Sequence, residues 1–464
     1  MGFPGAMPML PRPQGEAHLN VKPKILYVSH NHPTIRPGGA EAYAYELYRA
    51  VRDGGEFEPL FLARTGPPVS ISSRYHEGTL LTGVNEDPNQ YFFYTDTLEY
   101  DWLNGTPRGK AALIKYLREF LLATEPDIVH LQHTLFFGYD MLREIRNTLG
   151  EDVPILYTLH EFLPICHRNG QLVRTTTEKP CMEESPRRCH ECFPEVSPQA
   201  FYMRKRFIQS QMSTVDRFLA PSEFLRDRFV DWGLPADKVR FEEYGRLPVT
   251  AAPTRERRQR NRLVFIGQLS YFKGVNVLLK AMKRLQDDGV DVHCSVYGAN
   301  LELQPDEFRN EFAELLEATE PTVSFEGEFN HDDLPTIMAD ADWVVVPSVW
   351  WENSPLVIQE AGQHRRPVIA SDIGGMAEKV HDGVSGLHFK AADPASLAAT
   401  IERAVSSRKL WDELQRRIEP PYAMDEHVRS LSRQYRELLA SRGSEDELVQ
   451  PPAPATEIES VRYA

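Results

Sequence analysis

The run Pro347-Ser348-Val349-Trp350-Trp351-Glu352-Asn353-Ser354-Pro355-Leu356-Val357-Ile358-Gln359-Glu360-Ala361 decides how this chain folds. It follows the apolar tetrad Trp343-Val344-Val345-Val346, which reads as a buried parallel strand ended by Pro347 and Ser348. Ser354 is placed to cap a helix and Pro355 to begin it, because proline has no N–H to lose there. Glu352 then lies in the loop at the carboxyl end of the strand, and Glu360 lies nearly two turns into the helix. The first amides of that helix, at Leu356 and Val357, point back into the crevice between the two carboxylates. A helix N-terminus holds phosphate, and flanking carboxylates accept hydrogen bonds from hydroxyls. Phosphate together with hydroxyls describes a nucleotide sugar.

The alternation of strand and helix extends outward from this run. Strands are expected to Ile266, at Val290–Tyr297, Thr322–Phe325 and Pro367–Ala370, with helices at Val275–Asp288, Asp306–Glu317, Asp333–Ala339 and 355–364. The first half repeats the pattern: strands Lys24–Ser29, Glu56–Ala63, Ile128–Leu131, Pro154–Leu159 and Arg217–Ala220. Its helices are expected from Gly39, over Arg108–Ala123 and Tyr139–Leu149, near Pro198–Thr214 and after Ser222. Residues 64–106 are aromatic and rich in turn formers, and no element is assigned to them. Two successive alternating units predict an α/β protein of two doubly wound, Rossmann-like domains facing across a crevice. We place the first domain at 23–249 with a cysteine-rich insertion at 161–197, a charged linker at 250–262, and the second domain at 263–420. A last helix over 421–442 is expected to cross back to the first domain, and 1–22 and 443–464 read as disordered.

Composition narrows the partners. The 464 residues are 41% hydrophobic and 26% charged with a formal net charge of −15, which suits a soluble protein and argues against nucleic acid. No stretch approaches the roughly 20 apolar residues of a spanning helix, and the Pro/Gly-rich start has no signal-peptide core. The expectation is a cytoplasmic protein, with peripheral contact at the inner face of the membrane as the alternative. The helix bearing Lys110, Lys115 and Arg118 beside Leu113, Leu117, Phe120 and Leu121, and the stretch Phe201–Phe207, fit an anionic surface. They equally fit packing of one face on the core, which we favour.

Other clusters carry chemistry. Gly267-Gln268-Leu269-Ser270-Tyr271-Phe272-Lys273-Gly274 follows a strand and offers backbone and one cation to a diphosphate. The pairs Gly38-Gly39 and Gly374-Gly375 also follow strands, and serve either close ligand approach or tight packing. His130, His133 and His160 stand at strand ends, where structural roles are common. Cys166, Cys181, Cys189 and Cys192 cluster with the last pair at zinc-knuckle spacing. We read a structural zinc ahead of free buried thiols or a redox or iron–sulfur role.

In these motifs and their order the chain resembles the retaining glycosyltransferases of family 4, which have the GT-B fold. The resemblance rests on Gly38-Gly39-Ala40-Glu41, Pro126-Asp127-Ile128-Val129-His130, His160, the run from Gly267 to Gly274, Glu352 with Glu360, and Gly374-Gly375. It implies that Glu360 holds the ribose and Glu352 the hydroxyls of the transferred sugar. Lys273 and the amides of Leu356 and Val357 would hold the diphosphate, with Gly267, Gln268, Asn353 and Ser354 beside them. Gly38 and Gly39 would meet the donor from the opposite domain, and His160, Lys273 and Glu352 would carry the catalysis. No catalytic metal is implied, and Asp340-Ala341-Asp342 reads as a helix end. The acceptor would be a glycan, a lipid-linked or a small molecule. One departure stands out: the family usually has Arg where this chain has Gln268. A sugar-nucleotide epimerase of the same fold, or a non-catalytic zinc-stabilised scaffold, are the alternative readings.

Overall fold

Runs that are apolar at every position, such as Ile25–Val28 and Trp343–Val345, can only be strands covered on both faces, and they are at most 1% exposed. In a computed structural model, which describes residues 22–35, 38–66, 81–84, 87–95, 100–256 and 259–443, these runs build two sheets. The first unit contains β1 (Lys24–Ser29), β2 (Glu58–Thr65), β3 (Leu81–Val84), β4 (Asp87–Tyr94), β5 (Tyr100–Asp101), β6 (Thr106–Pro107), β7 (Ile128–Leu131), β8 (Ile155–Thr158), β9 (Arg217–Ala220) and β10 (Val239–Phe241). Its sheet runs β10-β9-β8-β7-β1-β2-β4-β3, parallel except for β3 on β4, and β5 and β6 pair apart from it.

The second unit contains β11 (Arg262–Ile266), β12 (His293–Tyr297), β13 (Val323–Gly327), β14 (Trp343–Val346), β15 (Val368–Ser371) and β16 (Gly386–Phe389). These run β13-β12-β11-β14-β15-β16, all parallel. Each sheet starts at its centre, grows to one side and returns to the other. The order therefore reverses between β1 and β7 and between β11 and β14, and ligands of such sheets lie off the carboxyl ends of those strands.

The helix Met424–Gly443 packs on the first sheet, with Leu431 and Tyr435 fully buried in the cluster of Ile25, Tyr27, Tyr43 and Leu47. Burying a side chain such as Leu431 contributes about 1.5–3 kcal/mol. The Tyr435 hydroxyl lies 3.0 Å from the Tyr27 hydroxyl and 2.7 Å from His130 Nδ1.

Several expectations are corrected here. The helix expected from Arg108 runs over Ala111–Thr124, and the unassigned stretch 64–106 contains the β3–β4 hairpin. The charged run 250–262 is exposed at most of its described positions, with Ala252 and Arg260 buried. Arg260 is buried between Asp342 Oδ1, 3.2 Å away, and the Trp411 ring, 4.0 Å away. A carboxylate and an aromatic face compensate that charge. The stretches read as disordered fall almost wholly on residues 1–21 and 444–464, outside the described residues. The basic helices spend their charge on neighbours: Lys110 pairs with Asp140, Arg118 with Glu144 and Lys205 with Glu184. Leu117, Phe120, Leu121 and Phe201 face the core. Among the described residues no helix is long and apolar enough to cross a membrane.

Candidate active site

The loop between β14 and the helix Leu356–Gln363 carries Glu352, buried at the carboxyl ends of the second sheet. Its Oε1 accepts hydrogen bonds from Lys273 Nζ at 2.6 Å, Ser348 Oγ at 2.8 Å and Trp350 Nε1 at 3.0 Å. Lys273 arrives from the turn after β11, so the switch point of the sheet brings the two residues together. No described residue donates to Oε2 of Glu352. Gly374 and Gly375 serve close packing. A Cβ at Gly375 would stand 1.6 Å from the Asn353 carbonyl oxygen, and the Gly375 N–H donates to the Glu352 carbonyl at 2.8 Å.

The helix begins one residue later than expected. Pro355, at ψ 119°, is extended and flanks the helix, and Ser354 does not cap it. The Ser354 hydroxyl donates to Glu243 Oε1 at 2.8 Å, a charged acceptor stronger than a capping amide is a donor. The amides of Leu356 and Val357 donate to no described residue. Glu360 is buried, with Oε1 3.3 Å from Arg246 Nη2 and 3.9 Å from His331 Nε2. Burial raises its pKa, and the Arg246 and His331 charges offset this in part.

The opposite wall comes from the first unit. Gly38 flanks the helix Gly39–Gly54, and a Cβ at Gly39 would lie 3.5 Å from Leu356 Cδ1. The glycine loop and the N-terminus of the 356–363 helix therefore meet across the crevice. Asn353 is used between the units: its Oδ1 accepts from Ser222 Oγ at 2.9 Å, and its Nδ2 donates to the His160 carbonyl at 3.1 Å. Asn353 and Ser354 thus spend their side chains on docking, where donor contact was expected. Ser222 and Glu243 follow β9 and β10 by two residues each, and the loop satisfies these polar groups.

His160 stacks on Tyr244, with Nδ1 2.5 Å from its hydroxyl and Nε2 3.1 Å from Gln132 Oε1. The amide oxygen only accepts, so the proton sits on Nε2 and the tyrosine donates to Nδ1. Burial, then the His133 and His30 charges, push its pKa well down, so the ring is neutral at pH 7.

The fold also pairs His133 and Glu41, both noted in the sequence, with Glu161 and His30, which sequence reasoning missed. His30 Nε2 pairs with Glu41 Oε1 at 3.0 Å, His133 Nε2 with Glu161 Oε1 at 3.3 Å, and the two rings lie 4.2 Å apart. Burial alone raises the pKa of Glu41, yet the hydrogen bond and charge of His30 outweigh it and hold it at about 2. Arg246, Glu243 and Tyr244 were also missed. The one signal was the density of charge in Glu242-Glu243-Tyr244-Gly245-Arg246 directly after a strand.

The expected zinc ligands Cys166, Cys181, Cys189 and Cys192 all lie in the described segment 161–197. Among the described residues no group of three or more His, Cys, Asp or Glu side chains is placed to hold a metal. The four sulfurs are free thiols, and Cys181 Sγ instead donates to the Glu183 carbonyl at 3.2 Å. Burial pushes the Cys166 thiol up and that of Cys189 to about 12.

Residues 37–241 match the family described as Glycosyltransferase Family 4, and residues 260–407 the one described as Glycosyl transferases group 1. The chain belongs to the family 4 glycosyltransferases. It is 25% identical over 395 residues to a glycogen synthase of Mycobacterium tuberculosis, covering 82% of this chain and 85% of that protein. A D-inositol 3-phosphate glycosyltransferase of Salinispora arenicola is 26% identical over 472 residues, covering 95% of both. In fold it is similar to the sucrose-phosphate synthase of Thermosynechococcus elongatus, with TM-score 0.67 and 18% identity over 90% of this chain and 100% of that one. Its two sheets are those of a GT-B glycosyltransferase, in a retaining family that uses nucleotide-sugar donors. In this family 4 glycosyltransferase Gln268 is exposed, and its side chain makes no hydrogen bond among the described residues. Gly267, next to it, donates its N–H to the Tyr297 carbonyl at 3.1 Å.

Proposed function

We propose that this glycosyltransferase moves a hexose from a nucleoside diphosphate sugar to a polyhydroxylated acceptor with retention at the anomeric carbon. The observation that supports this best is the meeting of Gly39 with Leu356 beside the Lys273–Glu352 pair, which gathers free amides, a cation and a carboxylate in one crevice. The amides of Leu356 and Val357 with Lys273 would take the diphosphate, Glu360 the ribose and the open Oε2 of Glu352 a sugar hydroxyl. The bond from the anomeric carbon to the leaving phosphate oxygen breaks with its electron pair going to the phosphate. The acceptor oxygen bonds to the same face, and its proton passes to the departing phosphate oxygen. Catalysis is then positioning and charge stabilisation, which suits a neutral His160 with both ring nitrogens occupied.

The acceptor would lie against the first unit, where the His30–Glu41 and His133–Glu161 pairs offer hydrogen-bonding groups. A glycan or a small polyol fits that surface better than an acyl chain. The test is nucleoside diphosphate release from a panel of donors with and without oligosaccharide and polyol acceptors. Acceptor-dependent release, reduced at least about a hundredfold by Glu352→Gln, is the expected result. Conversion of the donor with no acceptor present would favour an epimerase instead.

A further inference from the structure

Two features remain unused by the proposed reaction: the cysteine-bearing segment 161–197 and the glutamine at 268. They lie on opposite walls of the crevice, and Arg168 connects them. Its guanidinium carbon stands 5.2 Å from the centre of the Phe272 ring, one residue before Lys273. Phe272 in turn contacts Trp350, whose indole N–H holds Glu352. The arginine of one unit therefore rests on the loop of the other that carries the only cation of the run Gly267–Gly274.

The orientation of the guanidinium is set by its neighbours. Nη1 and Nη2 each donate to a different oxygen of Glu178 at 3.2 Å, and Nη1 also reaches the Val173 carbonyl at 3.2 Å. The end of the fork is thus held, while Nε and the second N–H of Nη2 have no partner among the described residues. That edge offers two parallel donors, the arrangement that matches a phosphate. Its side chain is 24% exposed, so a ligand can reach it. A guanidinium so fixed loses little freedom on binding.

We propose that Arg168 supplies a second cation to the donor's diphosphate, in the role that Gln268 does not fill, so that the cysteine-bearing segment completes the donor site. This rests on the donor-site reading above. It makes the electrostatics of the leaving group depend on crevice closure, because Lys273 and Arg168 belong to different units.

The test is calorimetric binding of UDP, GDP, ADP, TDP and CDP, and of the matching monophosphates, to wild type, Arg168→Gln, Arg168→Lys and Arg168→Gln/Gln268→Arg. For the diphosphate that binds wild type, Arg168→Gln should weaken affinity about tenfold or more while the monophosphate changes little. Arg168→Lys should recover part of the loss, and the double variant, which returns a cation from position 268, should recover most of it. Unchanged diphosphate affinity in Arg168→Gln overturns the inference and leaves the donor site standing. Equal losses for mono- and diphosphate, with no recovery in the double variant, would assign Arg168 a structural role and also overturn it. Wild type that binds none of the five diphosphates overturns the donor-site reading itself.

Discussion

Arg246 Nη2 stands 3.3 Å from Glu360 Oε1, so an arginine that follows the last strand of the first sheet neutralises a buried carboxylate on a helix of the second. The same arginine lies 3.5 Å from Glu46 and, through its backbone, exchanges hydrogen bonds with Tyr422 and Met424. Three segments thus converge on this one residue. Removing it leaves Glu360 buried without its nearest cation, a change that costs about 3 kcal/mol in comparable sites.

Arg246→Met should therefore lower unfolding stability by about 3 kcal/mol at pH 8. Glu360 then holds its proton to higher pH in the folded than in the unfolded chain, so the deficit grows as pH rises above the ordinary carboxylate value. Urea denaturation at pH 5 and pH 8 checks this. An equal deficit at both would mean that Glu360 is not the group affected.

Gly375→Ala should disrupt the site at a distance. Its Cβ would fall 1.6 Å from the Asn353 carbonyl oxygen, so the 351–353 backbone must move and carry Glu352 with it. The expected result is at least about a tenfold loss of kcat with a lowered melting temperature. An activity assay and a melting curve check this.

Gly39 separates a mild from a severe substitution. A single Cβ there meets Leu356 at ordinary contact distance, 3.5 Å, so Gly39→Ala should bind donor nearly as wild type. Gly39→Leu fills the space between the units and should raise the donor KM about tenfold or more. Equal behaviour of the two variants would place Gly39 away from the closing surface.

Acid stability should follow His130. Burial, then the His427 charge, lowers its pKa from 6.5 to about 3. Below the ordinary value the unfolded chain binds a proton that the folded chain refuses. Stability is therefore complete above about pH 6.5 and falls by about 1.4 kcal/mol per pH unit towards pH 3 for this group. His130→Gln, which keeps partners for Tyr435 and Thr158, should flatten that slope by about one proton. An unchanged slope between pH 6 and pH 4.5 would assign the acid sensitivity to other groups.

How far the fold was legible depended on whether an element's environment was local. The all-apolar run Trp343–Val346 and the proline after it placed a strand and a helix start within one residue, because periodicity and proline chemistry act over short range. Ser354 looked like a cap because nothing in its neighbourhood reveals Glu243, more than a hundred residues earlier, which takes its hydroxyl. The same distance hid Arg246 from Glu360 and the Trp411 ring from Arg260, so a buried arginine read as part of a solvated run. The β3–β4 hairpin was illegible because Tyr91 and Phe93 sit in an aromatic, turn-rich stretch with no alternation to follow. Cysteine spacing shows only which thiols could converge; the fold brings Cys166, Cys181 and Cys189 near enough to act on one another electrostatically.

The most direct test of the account is whether the crevice binds a nucleoside diphosphate through Glu360. Calorimetry of UDP, GDP, ADP, TDP and CDP with wild type and Glu360→Ala decides it. The account predicts micromolar binding of one of the five and a loss of about tenfold or more in the variant. Binding that Glu360→Ala leaves intact, or no binding of any of the five, would contradict it.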